Sequence, residues 1–161
     1  MRVFLKYWLP LVIWVGVMFV GSTNLMSAEH TSRFMVPFLL WLKPGMTPKT
    51  IWIILVVMRK CAHVTEYAIL ALLLWRALRT VSALRTKTLV VFAIVLLGCA
   101  VFAGTDEFHQ SFIKSRTPSA RDVLLDIAGA LVGLLIGASL ERGHANKFRA
   151  ANHSQFVDAQ L

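Results

Sequence analysis

Residues 59–67 form a short polar stretch inside an otherwise apolar part of the chain, and they include several side chains that can donate, accept or hold protons. On an α-helix, positions three and four residues apart share a face. Four polar side chains of this stretch fall on one such face, beside Arg59: Lys60, His63, Glu66 and Tyr67. Because charged groups at membrane depth cost a few kcal/mol each, this face is expected to line a bundle interior or a wet cavity.

A second polar group follows a later apolar run. Helical spacing places three of its members on one face and the fourth about a quarter turn away. These four residues are Asp106, Glu107, His109 and Gln110. A histidine beside carboxylates can act as a general base or acid near neutral pH. The two polar groups therefore predict a shared site if their helices are neighbours.

Basic and acidic residues also surround the start of the next apolar run. Arg116 and Arg121 can bind a phosphate or carboxylate through two hydrogen bonds each, which predicts an anionic ligand. Asp122 and Asp126 lie on the same helix face as three glycines at positions 129, 133 and 137. Small residues at this spacing let another helix approach closely. We interpret the glycine face as a packing seam and not as a ligand site.

The composition is that of a membrane protein. The chain has 161 residues, of which 57% are hydrophobic and 16% charged, and its mean hydropathy is +0.67. The net charge of +9 does not indicate a nucleic-acid-binding protein, because the Lys and Arg residues sit mainly at the ends of apolar runs. The length predicts a single domain, residues 1–140, followed by a polar cytoplasmic tail, residues 141–161.

Four apolar runs predict an all-α integral membrane protein built as a four-helix transmembrane bundle. The predicted spans are residues 3–20, 51–78, 89–103 and 119–140. A signal peptide is the alternative for the first run, disfavoured because no clear small-residue cleavage site follows it. Residues 34–42 form a nine-residue apolar island, too short to cross a hydrocarbon core of about 30 Å. They predict an interfacial or re-entrant segment between the first two spans.

The distribution of basic residues predicts the orientation of the bundle. Lys and Arg are concentrated near both termini and in residues 76–87, between the second and third spans. Cytoplasmic loops carry an excess of these residues. Both termini are therefore expected in the cytoplasm, and both polar groups toward the outer face.

Three motifs in order resemble the VanZ-like membrane protein family. They are Lys60-x-x-His63-x-x-Glu66-Tyr67, Asp106-Glu107-x-His109-Gln110, and Arg116-Thr117-Pro118-Ser119-x-Arg121-Asp122 followed by Asp126-x-x-Gly129. The resemblance implies a bacterial inner-membrane protein. The family is named after a member linked to resistance to the glycopeptide teicoplanin, and no biochemical activity is established across it.

The main functional prediction is binding. An outward-facing polar pocket binds an anionic lipid-linked envelope compound or an amphiphilic antibiotic, with membrane lipids as the expected partners and glycopeptide resistance as a consequence. The residues assigned to binding are Lys60, Tyr67, Glu107, Gln110, Arg116, Arg121, Asp122 and Asp126. No cofactor is expected.

Two alternatives remain open on the sequence. An intramembrane hydrolase or transferase would use acid–base chemistry at His63, Glu66, Asp106 and His109, although no nucleophile is evident. The same four residues include imidazole and carboxylate ligands that suit a metal ion, while Arg59 and Lys60 would repel a cation. In a purely structural alternative the ionisable residues pair with one another and hold the helices together.

Overall fold

The computed structural model describes residues 1–22, 28–112 and 119–158, and this part of the chain is helical throughout, without strands. A π-helical turn, Phe4–Trp8, leads into the first α-helix. The helices are α1 (Leu9–Ser22), α2 (Ala28–Leu42), α3 (Pro48–Leu78), α4 (Thr88–Gln110) and α5 (Ala120–Asp158). The predicted all-α class is confirmed.

Local sequence explains the sharp turn between α2 and α3. Gly45 has a φ of +86°, a conformation that glycine adopts without steric cost. The Thr47 hydroxyl then accepts a hydrogen bond from the backbone N–H of Thr50 at 3.3 Å. Pro48 occupies the first helical position, where its missing N–H costs nothing. These residues begin α3 at a defined point.

Helix α3 lies at the centre of the bundle and packs against α1, α2, α4 and α5. It runs parallel to α5, because Lys60 contacts Asp122 near one end and Arg79 contacts Glu141 near the other. A Cβ added to Gly129 would lie 2.5 Å from the Val64 carbonyl oxygen. The predicted glycine packing seam on α5 is therefore confirmed, with α3 as its partner.

The two parallel helices are joined at the end remote from the polar groups. The Arg79 guanidinium donates to both Glu141 carboxylate oxygens, with Nε–Oε1 at 2.8 Å and Nη2–Oε2 at 2.7 Å. It also lies over the Trp75 ring, 5.3 Å from its centroid. The hydrogen bonds to Glu141 raise the pKa of Arg79. A bidentate contact of this kind holds the register of α3 against α5.

Three stretches within residues 1–22, 28–112 and 119–158 are long and apolar enough to cross a membrane: Phe4–Ser22, Thr88–His109 and Ala120–Gly143. The predicted four-span bundle is not confirmed, because α3 is absent from this set. Its middle carries the charged side chains of residues 59–66. Large apolar side chains point outward, as Leu89 shows at 84% exposure and Leu97 at 67%. Such a surface suits contact with lipid chains.

The last helix is longer than the sequence predicts. We expected the fourth span to end near residue 140, but α5 continues to Asp158. No proline interrupts residues 141–158, and several of them, including Ala145 and Lys147, are good helix formers. The loss of hydrophobicity after residue 140 ends the apolar stretch and not the helix.

The first three turns of α3 extend past the start of α5. Lys60 already pairs with the first turn of α5, so residues 48–58 project about 17 Å beyond it at 1.5 Å per residue. In the described part of the chain, α2 contacts α3 and no other helix. The predicted segment of residues 34–42 forms the second half of α2 and exposes Phe34, Phe38 and Trp41.

Candidate functional site

A cavity of about 1060 Å³ lies between α1, α2 and α3. Most of its walls are apolar, and they include Ile13, Val17, Met35, Leu55 and Val56. Ionisable side chains line one part of the cavity: Arg59, His63 and Glu66 from α3 and Asp106 from α4. The cavity therefore combines a greasy channel with a polar end.

His63 is held by a carboxylate from α5. Its Nδ1 lies 3.1 Å from Oδ1 of Asp126, whose side chain is 1% exposed. An ionised carboxylate can only accept, so the Nδ1–H donates to it and Nε2 remains as the acceptor nitrogen. The close approach of Gly129 to Val64 places Asp126 opposite His63. Sequence reasoning expected a carboxylate beside His63, and only the packing identifies Asp126 as that partner.

Asp126 and Tyr67 both carry buried polar atoms. Within the described residues, Oδ2 of Asp126 and the hydroxyl of Tyr67 have no hydrogen-bond partner. Tyr67 packs against the Phe102 ring at 6.3 Å between centroids and is 1% exposed. Leaving such atoms unsatisfied costs about 1–3 kcal/mol each. Tyr67 belongs to the core beside the cavity and not to its lining.

Lys60 is engaged in an ion pair at the surface. Its Nζ lies 2.8 Å from Oδ1 of Asp122, and the two side chains are 50% and 27% exposed. Pairs this exposed contribute between about 0 and 1 kcal/mol. The cation that sequence reasoning assigned to an anionic ligand is thus already opposite a carboxylate, and neither residue lines the cavity.

Glu107 has a capping role at the start of α5. Its Oε2 accepts a hydrogen bond from the backbone N–H of Ser119 at 2.8 Å. The Ser119 hydroxyl in turn accepts one from the backbone N–H of Arg121 at 3.3 Å. The first turn of a helix has N–H groups without internal partners, so these contacts tie α4 to α5. The Arg121 side chain itself is exposed.

His109 faces α1 and not His63. The Ser22 hydroxyl lies 3.5 Å from its Nδ1, and the Phe19 ring lies 5.6 Å from its ring. No cluster of three or more His, Cys, Asp or Glu side chains placed to bind a metal occurs in the described residues. The four-ligand set of the metal alternative is therefore not assembled there.

The predicted site residues are divided between the cavity and its supports. The cavity gathers His63, Glu66 and Asp106, and Asp126 supports it through His63. Arg116 lies outside the described residues, as does the side chain of Gln110. The remaining predicted residues make other contacts or are exposed.

Sequence reasoning missed the contribution of α1. Gly16, Gly21 and Ser22 line the cavity, and Nε1 of Trp14 donates to the Glu66 carbonyl oxygen at 3.1 Å. The first apolar run has no charged residue after Lys6 that could have marked these positions. Arg59 was visible on the polar face, and its place at the cavity follows from that face.

Comparison with known proteins gives one match. A family model described as VanZ/LLP1 matches residues 7–140, which is most of the chain. No match was found among curated proteins or solved structures. The match includes all the described helices that line the cavity.

Proposed function

The chain belongs to the VanZ/LLP1 family, and we propose that it is a membrane protein that binds one amphiphile of the cell envelope in the cavity between α1, α2 and α3. The head group lies beside Arg59, Glu66 and Asp106, and the apolar chain lies along α1 and α2. The carrying observation is a cavity of about 1060 Å³ with apolar walls and one polar end. Sites for drug-sized ligands measure about 300–1,000 Å³, so there is room for a chain as well as a head group.

The proposal includes a location and a consequence. The protein lies in the bacterial cytoplasmic membrane with both termini inside, as the basic residues predict, and the polar end of the cavity faces outward. An antibiotic that carries an apolar chain competes for the same cavity. Binding it there lowers its free concentration at the envelope, and this is the proposed route to glycopeptide resistance.

Gly16 offers a direct test of amphiphile binding. It lines the cavity, and no atom lies within 4 Å of a Cβ added there. Gly16→Leu therefore fills the cavity without a clash. We expect the parent chain, purified in native lipid, to retain a defined amphiphile by mass spectrometry and the variant to lose most of it.

Gly104 provides the matched control. It also has open space around an added Cβ, but it does not line the cavity. Gly104→Leu is expected to keep the bound amphiphile at the parental level. Equal retention in the parent, Gly16→Leu and Gly104→Leu would exclude the cavity as the binding site.

The His63–Asp126 contact favours acid–base catalysis as a second candidate function. A histidine whose Nδ1–H is held by a carboxylate presents Nε2 as a base, and His63 also lines the cavity. In this candidate, His63→Gln abolishes conversion of an envelope lipid while the lipid still binds. A time course of lipid composition in proteoliposomes tests it, and an unchanged composition with the parent chain would rule it out.

A further inference from the structure

The charges at the polar end of the cavity are mixed. Among the described lining residues, Arg59 is the positive group, and Glu66 and Asp106 are the negative groups. Arg59 is exposed, whereas both carboxylate residues are half-buried. A purely anionic head group would face one cation and two carboxylates, so its attraction to Arg59 would be opposed. A head group that also carries a positive charge fits this arrangement better.

Hydrogen bonding narrows the kind of positive charge. Because Nδ1 of His63 is bonded to Asp126, its Nε2 can accept a hydrogen bond from a ligand. The Glu66 and Asp106 carboxylates are acceptors as well, and each has about four lone-pair sites, so other contacts within the protein leave capacity for a ligand. A primary ammonium has three N–H donors, which matches three acceptors along one wall. A quaternary ammonium has none.

We infer that the amphiphile carries a primary ammonium next to a phosphate, as in a phosphoethanolamine head group. This inference rests on the proposed amphiphile-binding function. The ammonium lies among Glu66, Asp106 and Nε2 of His63, and the phosphate lies at Arg59. The two ends of this wall, Arg59 and Glu66, are seven residues or about 10 Å apart along α3. Both side chains extend into that interval, so one head group can reach both.

Three lipids with identical acyl chains test the inference. They are phosphatidylethanolamine, phosphatidylcholine, which lacks N–H donors, and phosphatidylglycerol, which lacks the ammonium. The full chain in detergent is titrated with each and followed by native mass spectrometry. We expect phosphatidylethanolamine to bind at least about tenfold more tightly than the other two, the loss typical of a missing hydrogen bond to a charged group.

Two variants separate head-group recognition from general lipid binding. Glu66→Gln is expected to reduce the preference for phosphatidylethanolamine several-fold and to leave phosphatidylglycerol binding equal or stronger. Glu141→Gln removes a carboxylate at the opposite end of the bundle, beside Arg79, and is expected to keep the preference.

The outcomes also separate this inference from the proposed function. If all three lipids bind equally and Gly16→Leu abolishes the binding of each, the cavity is the site and the head-group inference is overturned. If the parent chain binds none of them, both proposals are overturned. Retention of the phosphatidylethanolamine preference in Glu66→Gln would also contradict the inference.

Discussion

Asp126 is a fully buried carboxylate in a helix that is apolar enough to cross a membrane. An isolated charge in such a place is very costly, and His63 compensates it through a hydrogen bond at 3.1 Å. One oxygen of Asp126 still lacks a partner within the described residues. A position with this cost is more easily explained by its control of His63 than by stability.

Asp126 gives a prediction at the residue scale. Asp126→Ala leaves the His63 Nδ1–H without an acceptor, and removing one partner of a buried pair costs about 3–5 kcal/mol. Asp126→Asn keeps an acceptor oxygen for His63, so its effect is expected to be smaller. Thermal unfolding in detergent, followed by tryptophan fluorescence, measures both changes.

A double variant decides what the pair contributes. Replacing both members of a buried ion pair with apolar residues is often neutral or stabilising. H63L/D126L is therefore expected to be more stable than Asp126→Ala while losing the chemistry of the cavity. A double variant as unstable as Asp126→Ala would mean that the pair is needed for folding, as in the structural alternative.

At the scale of elements, the contact between α3 and α5 depends on two glycines. Val64 and Ala68 present backbone oxygens to Gly129 and Gly133, within the space that a Cβ would need. The obstacle is helix backbone and not a flexible side chain, so it cannot move aside. This seam positions Asp126 against His63.

Gly129→Ala is expected to be destabilising, although alanine is the better helix former by about 1 kcal/mol. The added Cβ would lie 2.5 Å from the Val64 oxygen, which forces the helices apart and lengthens the His63–Asp126 contact. Gly143→Ala is the control, because nothing lies within 4 Å of its added Cβ. It should leave the unfolding temperature unchanged or raise it slightly, and an equal effect of both substitutions would contradict the seam.

For the whole molecule, the polar cluster and the chain termini are expected on opposite sides of the membrane. The antiparallel order of α1, α3 and α4 places Ser22, Lys60 and His109 toward one end. The N-terminal π-helical turn and Arg76 lie together at the other end, where Arg76 is 5.7 Å from the Tyr7 ring. This arrangement allows a topological test with single cysteines.

Two exposed positions report the sides of the membrane: Lys49 before the cavity and Ser82 between α3 and α4. In a background with Cys61 and Cys99 replaced, Lys49→Cys is expected to react with an impermeant maleimide in intact cells. Ser82→Cys should react only after permeabilisation. The reverse labelling pattern would invert the proposed orientation.

Several features followed from the sequence alone because they depend on local chemistry. Hydrophobicity and length predicted helices and a membrane setting, small-residue spacing predicted the seam on α5, and the polar face around His63 marked a part of the cavity. The apolar character of α1 concealed its cavity residues Gly16 and Ser22, since no charge distinguished them from lipid-facing neighbours. Hydrophobicity also failed at residue 140, where the apolar stretch ends but the helix does not.

The tertiary structure decided which polar residues meet. Spacing within a helix specifies a shared face, but the pairing of faces depends on helix order, register and the closest approach between backbones. These determined that Asp126 contacts His63, that Asp122 contacts Lys60, and that Glu107 caps α5 while His109 lies against α1. A sequence can thus nominate ionisable groups, but their partners depend on distances between helices, and those exist only after the chain has packed.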